Sequence, residues 1–169
     1  MRRRAAGFTL LEILVVVAII GIIITFAALS LGTRTVEDTL DNESERLYRL
    51  FSIAAEDAEV QGLDLGWRHT VDGYEFLVLT PAGAWTPLEN NDSLRKRALP
   101  DPLYFELNVE GHTLSPAGGS EKSVEPQVLL LSSGEASAFR LDVRAHGFKP
   151  YVRLQGDALG RLSKQRVNE

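Results

Sequence analysis

Glu12 is the one ionisable residue in a long apolar stretch, and its placement carries the most chemistry in the chain. From Phe8 to Leu31 there are 24 residues, of which only Thr9, Glu12, Thr25 and Ser30 are polar, and residues 13–24 hold no polar side chain. An acid inside such a run either reaches back to a membrane interface or serves as a functional group that meets a partner charge. Elsewhere the residues that could do chemistry are scattered. His69, His112 and His146 form no His-x-x-x-His pair, there is no cysteine, and no glutamate is spaced to complete a zinc site, so surface or turn histidines are expected. Ser132-Ser133-Gly134 lacks the flanking glycine of a nucleophile elbow, and Gly118-Gly119-Ser120 is followed by no lysine of a phosphate loop. The residues predict no enzyme, no catalytic or metal-binding group and no cofactor.

The element that must position Glu12 is a helix spanning residues 8–31. At ~1.5 Å per residue it is long enough to cross ~30 Å of hydrocarbon. It is too long, and too early interrupted by an acid, for the apolar core of an ordinary secretory signal. Arg2, Arg3 and Arg4 precede it and orient it with the rest of the chain across the membrane. The chain has 18 basic and 23 acidic residues, a net charge of −5, and without the three leading arginines 15 bases face 23 acids. That excess argues against a nucleic-acid partner. Some 138 residues follow Leu31, enough for one small domain.

Beyond a weak point at Gly32, residues 32–62 continue as an amphipathic helix. Leu40, Leu47, Leu50, Phe51, Ala54, Ala55 and Ala58 recur at three- and four-residue steps, while Asp38, Asp41, Glu43, Glu45, Arg46, Arg49, Glu56 and Glu59 fill the other positions. Gly62 is placed to stop it. No heptad holds for long, so packing on the chain's own sheet is expected rather than a coiled coil. From residue 63 to 169 the period falls to two. Strands are expected over 65–71, 74–80, 84–86, 103–109, 128–131, 138–143 and 151–154, with Asp72-Gly73 as a type I′ hairpin turn. The expected arrangement is an antiparallel meander behind the helix, with residues 112–126 as an exposed mobile loop. Trp67, Tyr74 and Trp85 are expected to pack rather than to bind.

The N-terminal order resembles the class III signal of type IV pilins and of the pseudopilins of type II secretion. The leader 1–7 is short and basic, Gly7 precedes the cut, Phe8 becomes the new N-terminus and Glu12 is the fifth mature residue. Ala6 departs from the Lys or Arg that many relatives carry. The resemblance implies cleavage between Gly7 and Phe8 and N-methylation of Phe8 by a prepilin peptidase, with Glu12 acting in assembly. The soluble part resembles the minor pseudopilin H family in residues 56–62, Trp67, Asp72-Gly73-Tyr74, Trp85, Pro87-Leu88, 97–100, and the run 128–135 leading to Phe139.

That resemblance implies an α+β, pilin-like fold, a long N-terminal helix packed on an antiparallel β-sheet or sandwich. It implies anchoring in the inner membrane with the domain in the periplasm, and partnership with the major G subunit and the minor I, J and K subunits near the tip of a pseudopilus that helps export folded proteins. Two alternatives stand beside it. One is a minor pilin of a type IV pilus, including the DNA-uptake kind, which Arg153, Arg161, Lys164 and Arg166 near the C-terminus would favour. The other is a single-pass anchored binding module that needs no processing.

Overall fold

The computed structural model describes residues 10–88, 91–118 and 124–168, with the side chains of 26–34 outside the description. Helix α1 (Leu10–Gln61) carries the helical assignment through Gly32 without a break. By its internal contacts the chain divides into two units, Met1–Glu37 and Asp38–Glu169.

In the first unit, no apolar side chain over 10–25 finds cover: Leu10, Leu14, Val17 and Ile24 are all exposed. The Thr25 hydroxyl donates to the Gly21 carbonyl at 2.8 Å, which satisfies its polar group within the helix.

In the second unit, α1 buries Leu40, Leu47, Leu50, Phe51, Ala54 and Ala58, the expected stripe. Glu43 and Ser44 are buried with them, so Glu43 is a core residue and not the surface acid expected. The helix ends as expected. Gly62 has φ +66° and the Leu63 amide donates to the Ala58 carbonyl at 3.1 Å, closing a Schellman motif.

Among the described residues ten strands follow: β1 (Leu65–Thr70), β2 (Gly73–Leu79), β3 (Trp85–Pro87), β4 (Arg97–Ala98), β5 (Leu103–Val109), β6 (His112–Leu114), β7 (Val128–Leu130), β8 (Phe139–Ala145), β9 (Phe148–Gly156) and β10 (Leu162–Val167). They form two sheets rather than one meander. The first has the order β3-β2-β1-β7 with β4 also on β2, and the second the order β10-β9-β8-β5-β6. The meander fails because β7 returns to β1, pairing Leu65 with Leu130, which leaves β5 to pair with β8 along its whole length.

Two turns differ from expectation for local reasons. The first hairpin turns on Val71 and Asp72, and Gly73 already pairs with Thr70. A Cβ on Gly73 would lie 2.0 Å from the Arg97 carbonyl oxygen, so this glycine admits the close approach of β4 rather than a positive φ. The doubly left-handed turn instead lies at Glu110 (φ 50°) and Gly111 (φ 87°), the geometry of a type I′ hairpin. It returns the chain as β6, so the segment 112–126 begins as a paired strand and not as loop. A bridge between Thr70 and Ala117 ties it further.

Phe51 of α1 joins the two sheets. Its ring lies 5.3 Å from Trp67 and 5.9 Å from Phe76 in the first sheet, and 4.9 Å from Phe139 in the second. Such aromatic contacts add about 0.5–1.5 kcal/mol each beyond the area they bury.

Candidate functional site

Glu12 stands in the first turn of α1, as the sequence places it. An acid there faces the positive end of the helix dipole, a favourable placement. The residues around it are Leu10, Leu11, Ile13 and Val16, all exposed. With Thr25 turned onto its own backbone, Glu12 is the charged feature of an apolar surface that runs over 10–25. A bare apolar surface of this extent on a soluble chain marks contact with membrane or with another protein. Gly7 and Phe8 lie outside the described residues, as do Arg2, Arg3 and Arg4. Among the described residues no helix is long and apolar enough to cross a membrane, and the expected span of 8–31 extends beyond the described side chains at both ends.

The turn over residues 132–135 is held from two sides. Both the Ser132 amide and its hydroxyl donate to Asp64 Oδ1 at 2.9 Å, and these two hydrogen bonds, the amide first, hold the Asp64 carboxyl below its ordinary range. The Leu131 amide donates to the Glu135 carbonyl at 2.8 Å, closing a tight loop around Gly134. A cavity of about 250 Å³ lies nearby, lined by Tyr48, Ala55, Leu130, Ala136, Phe139 and Leu162 among others.

The C-terminal cations are partnered. Arg153 forms a two-point pair with Asp142, each contact 2.7 Å, Arg161 pairs with Asp157 at 2.7 Å, Lys164 pairs with Glu45, and Arg166 reaches both oxygens of Asp41 at 2.8 and 2.9 Å. Lys164, then Arg49, holds the Glu45 carboxyl below its ordinary range, and Arg161 does the same for Asp157. Lys164 and Arg166 thus tie the last strand to the helix and are not left as a row of open cations.

His69 is buried, contrary to the expectation of a surface or turn residue, because it falls on the inward side of β1. His112 and His146 are exposed, and His146 stacks on Tyr104 at 4.5 Å. Among the described residues no three His, Cys, Asp or Glu side chains gather as a metal site. A polar pair escaped the sequence reading: the Tyr74 hydroxyl donates to Glu43 Oε1 at 2.6 Å in the core, and Arg46 also pairs with Glu43. Burial first, then the Glu43 carboxylate, push the Tyr74 phenol far above its ordinary value, so it stays a donor. The signal was available, since Glu43 sits at helical spacing between Leu40 and Leu47.

Residues 2–28 match the prokaryotic N-terminal methylation motif. Over 152 residues the chain is 37% identical to the type II secretion system protein H of Pseudomonas aeruginosa, covering 86% of each chain. The chain belongs to the type II secretion system protein H family. The Aeromonas hydrophila member is 30% identical over 177 residues, covering 95% of this chain and 93% of its own. The fold of this chain agrees with the crystal structure of the minor pseudopilin EpsH of the Vibrio cholerae type II secretion system. That likeness has a TM-score of 0.67 at 24% identity and covers 79% of this chain and 98% of that one. Each of the four C-terminal cations that favoured a DNA-uptake pilin, Arg153, Arg161, Lys164 and Arg166, faces an acid of its own chain.

Proposed function

We propose that this minor pseudopilin is cut between Gly7 and Phe8 by a prepilin peptidase, N-methylated at Phe8, held in the inner membrane by residues 8–31, and drawn into a periplasmic pseudopilus. The observation that carries the reading is the match of residues 2–28 to the methylation motif within a chain 37% identical to a type II secretion system protein H. The physical steps follow from the helix. Its exposed apolar side chains have no cover within the chain, so they are covered by lipid before assembly and by other pseudopilin helices after it. In that apolar setting the Glu12 carboxylate of an incoming subunit neutralises the free amine at Phe8 of a neighbour. A pair of unit charges at ~4 Å is worth roughly 4 kcal/mol at an effective dielectric near 20, before desolvation is subtracted.

The domain of residues 38–169 stays outside the bilayer and meets the major G subunit and the minor I, J and K subunits near the filament tip. The filament then helps to move folded proteins across the outer membrane. Mass spectrometry of the protein purified from its membranes is expected to show an N-terminus at Phe8 carrying one methyl group. A chain that retains residues 1–7 in a strain with active peptidase would refute processing. Failure of the gene to restore export in a deletion strain would refute the secretion role.

A further inference from the structure

One groove of the domain gathers three arginines, two of them paired along α1, Arg46 with Glu43 and Arg49 with Glu45, and the third, Arg97, with no acid. It has a volume of about 530 Å³, and its lining includes Arg46, Arg49, Leu50, Ile53, Ser93 and Arg97 with one acid, Glu45. The segment that carries Ser93 and Arg97 also presents Arg95 and Lys96, both exposed. Elsewhere Arg68, Arg144, Arg153, Arg161, Lys164 and Arg166 each face an acid. Among the described residues Arg95, Lys96 and Arg97 form no ion pair. Arg97 donates from Nη2 to the Ser93 carbonyl at 3.3 Å, and its buried Nε has no hydrogen-bond partner.

The acids near the groove do not cancel this charge. Glu43 is buried beneath it against Tyr74 and Arg46, and Glu45 is shared between Arg49 and Lys164. Asp92 is the other acid on the rim segment. The excess is local, since over the whole chain 23 acids outnumber 18 bases. Four of the five cations are arginines, whose planar forks match carboxylates at two points. Between them Leu50 and the half-open Ile53 give the groove an apolar floor.

We propose that this groove receives an acidic, partly apolar helical segment of a neighbouring subunit in the pseudopilus, with Arg49 and Arg97 meeting its carboxylates and Ile53 its apolar side chain. The proposal rests on the reading of the chain as a filament subunit. The architecture itself offers such a segment: the exposed turn of α1 that holds Glu56, Asp57, Glu59 and Val60 shows the composition required. Arg97 is half-buried and faces no acid, so the outer N–H groups of its guanidinium, beside the Nη2 contact to Ser93, are the donors that an incoming carboxylate meets.

The test uses the full chain in cells that carry the whole secretion system, with the photo-crosslinker p-benzoylphenylalanine at Ser93. The expected adduct joins another pseudopilin through a peptide rich in Asp and Glu. The combined variant Arg49→Glu, Arg95→Glu and Lys96→Glu is expected to lower adduct yield about tenfold, and Arg49→Lys with Arg95→Lys to retain most of it. Arg95 and Lys96 hold no other side chain in place, and the Arg49–Glu45 pair is an exposed one between successive helical turns, so steady-state level and cleavage after Gly7 should not change. Adduct yield within about twofold of the unsubstituted chain in the reversed variant would overturn the proposal. So would an adduct to lipid, an adduct peptide without acids, or no adduct at Ser93 in secreting cells. If these results came with normal processing at Gly7 and normal export, the groove proposal would fall and the filament reading would stand.

Discussion

The two stretches of α1 have opposite surroundings. Over 10–25 the described side chains are all exposed, with Leu10 at 87% and Ile24 at 62%, whereas from Leu40 to Ala58 most apolar positions are buried, several of them fully, with Ile53 exposed and Ala55 half-buried. Helical geometry is common to both, and apolar residues are more abundant in the exposed stretch. The difference lies in periodicity. Residues 38–61 alternate an apolar stripe with charges, so one face can lie on the sheets while the other stays wet. Residues 13–24 have no polar face to offer water, so their cover must come from outside the chain.

The largest effect should come from breaking the exposed stretch where its charge sits. Glu12→Val removes a charge that costs up to ~3 kcal/mol within a span, so membrane insertion should if anything improve. The neighbour's amine, however, would lose its counter-ion in the filament core. We expect a chain that is still cut after Gly7 and still membrane-held, yet fails to crosslink to other pseudopilins and leaves export near zero in a deletion strain. Full export at normal expression would show that Glu12 only reaches back to the interface.

Equal truncations in the two regions should then part company in stability. Trp67 is fully buried and touches the rings of Phe51, Tyr74 and Phe105, so Trp67→Ala should cost the domain about 3–5 kcal/mol. Leu14 is 63% exposed, and Leu14→Ala should change the unfolding free energy of detergent-solubilised chain, read from urea melts, by less than about 0.5 kcal/mol. Comparable losses in both would mean that the apolar half is also packed within the chain. A smaller, sharper effect belongs to the polar pair in the core. Tyr74→Phe keeps the ring but leaves Glu43 Oε1 without its 2.6 Å donor, a loss of about 1–3 kcal/mol. An unchanged melting curve would show that Arg46 alone satisfies the acid.

Much of this contrast was legible in the sequence because periodicity carries it. The apolar run, the stripe from Leu40 to Ala58, the stop at Gly62 and most of the long strands follow from spacing and from turn residues. Three strands did not. β4 is two residues long, β6 was hidden in a Ser- and Gly-containing stretch, and β10 reads Leu-Ser-Lys-Gln-Arg-Val with no apolar alternation. β10 is an edge strand whose Lys164 and Arg166 reach acids of α1, so its position depends on partners 119 and 125 residues away. The division into two sheets is equally non-local, decided by β7 choosing β1. Glu43 was misplaced for a different reason: a charge was taken for surface although its spacing put it on the buried stripe.

The smallest expected effect concerns His69, and it separates the domain's interior from its surface by pH. The backbone amide and Nδ1 of His69 both lie 2.9 Å from Gln127 Oε1, which assigns the ring proton to Nδ1. Nε2 is left buried without a partner, with the ring among Trp67 and Phe105. Adding a proton there would create a charge and an N–H with no acceptor, and burial accordingly lowers the His69 pKa from its ordinary 6.5, with Gln127 opposing more weakly. Below pH 6.5 the unfolded chain therefore binds a proton that the folded chain refuses, and stability must fall as pH falls towards the depressed folded value. The surface carboxyls of Asp64, Asp157 and Glu45 are lowered instead, so their contributions persist through this range and are lost only in stronger acid. Urea melts of the full chain in neutral detergent should thus show a midpoint that declines between about pH 6.5 and pH 5. His69→Phe removes the titrating group, and whatever its stability at pH 7.5, its midpoint should be flat over that window. An equal decline in both proteins would show that His69 is not the group responsible and leave it as a neutral packing residue at every pH tested.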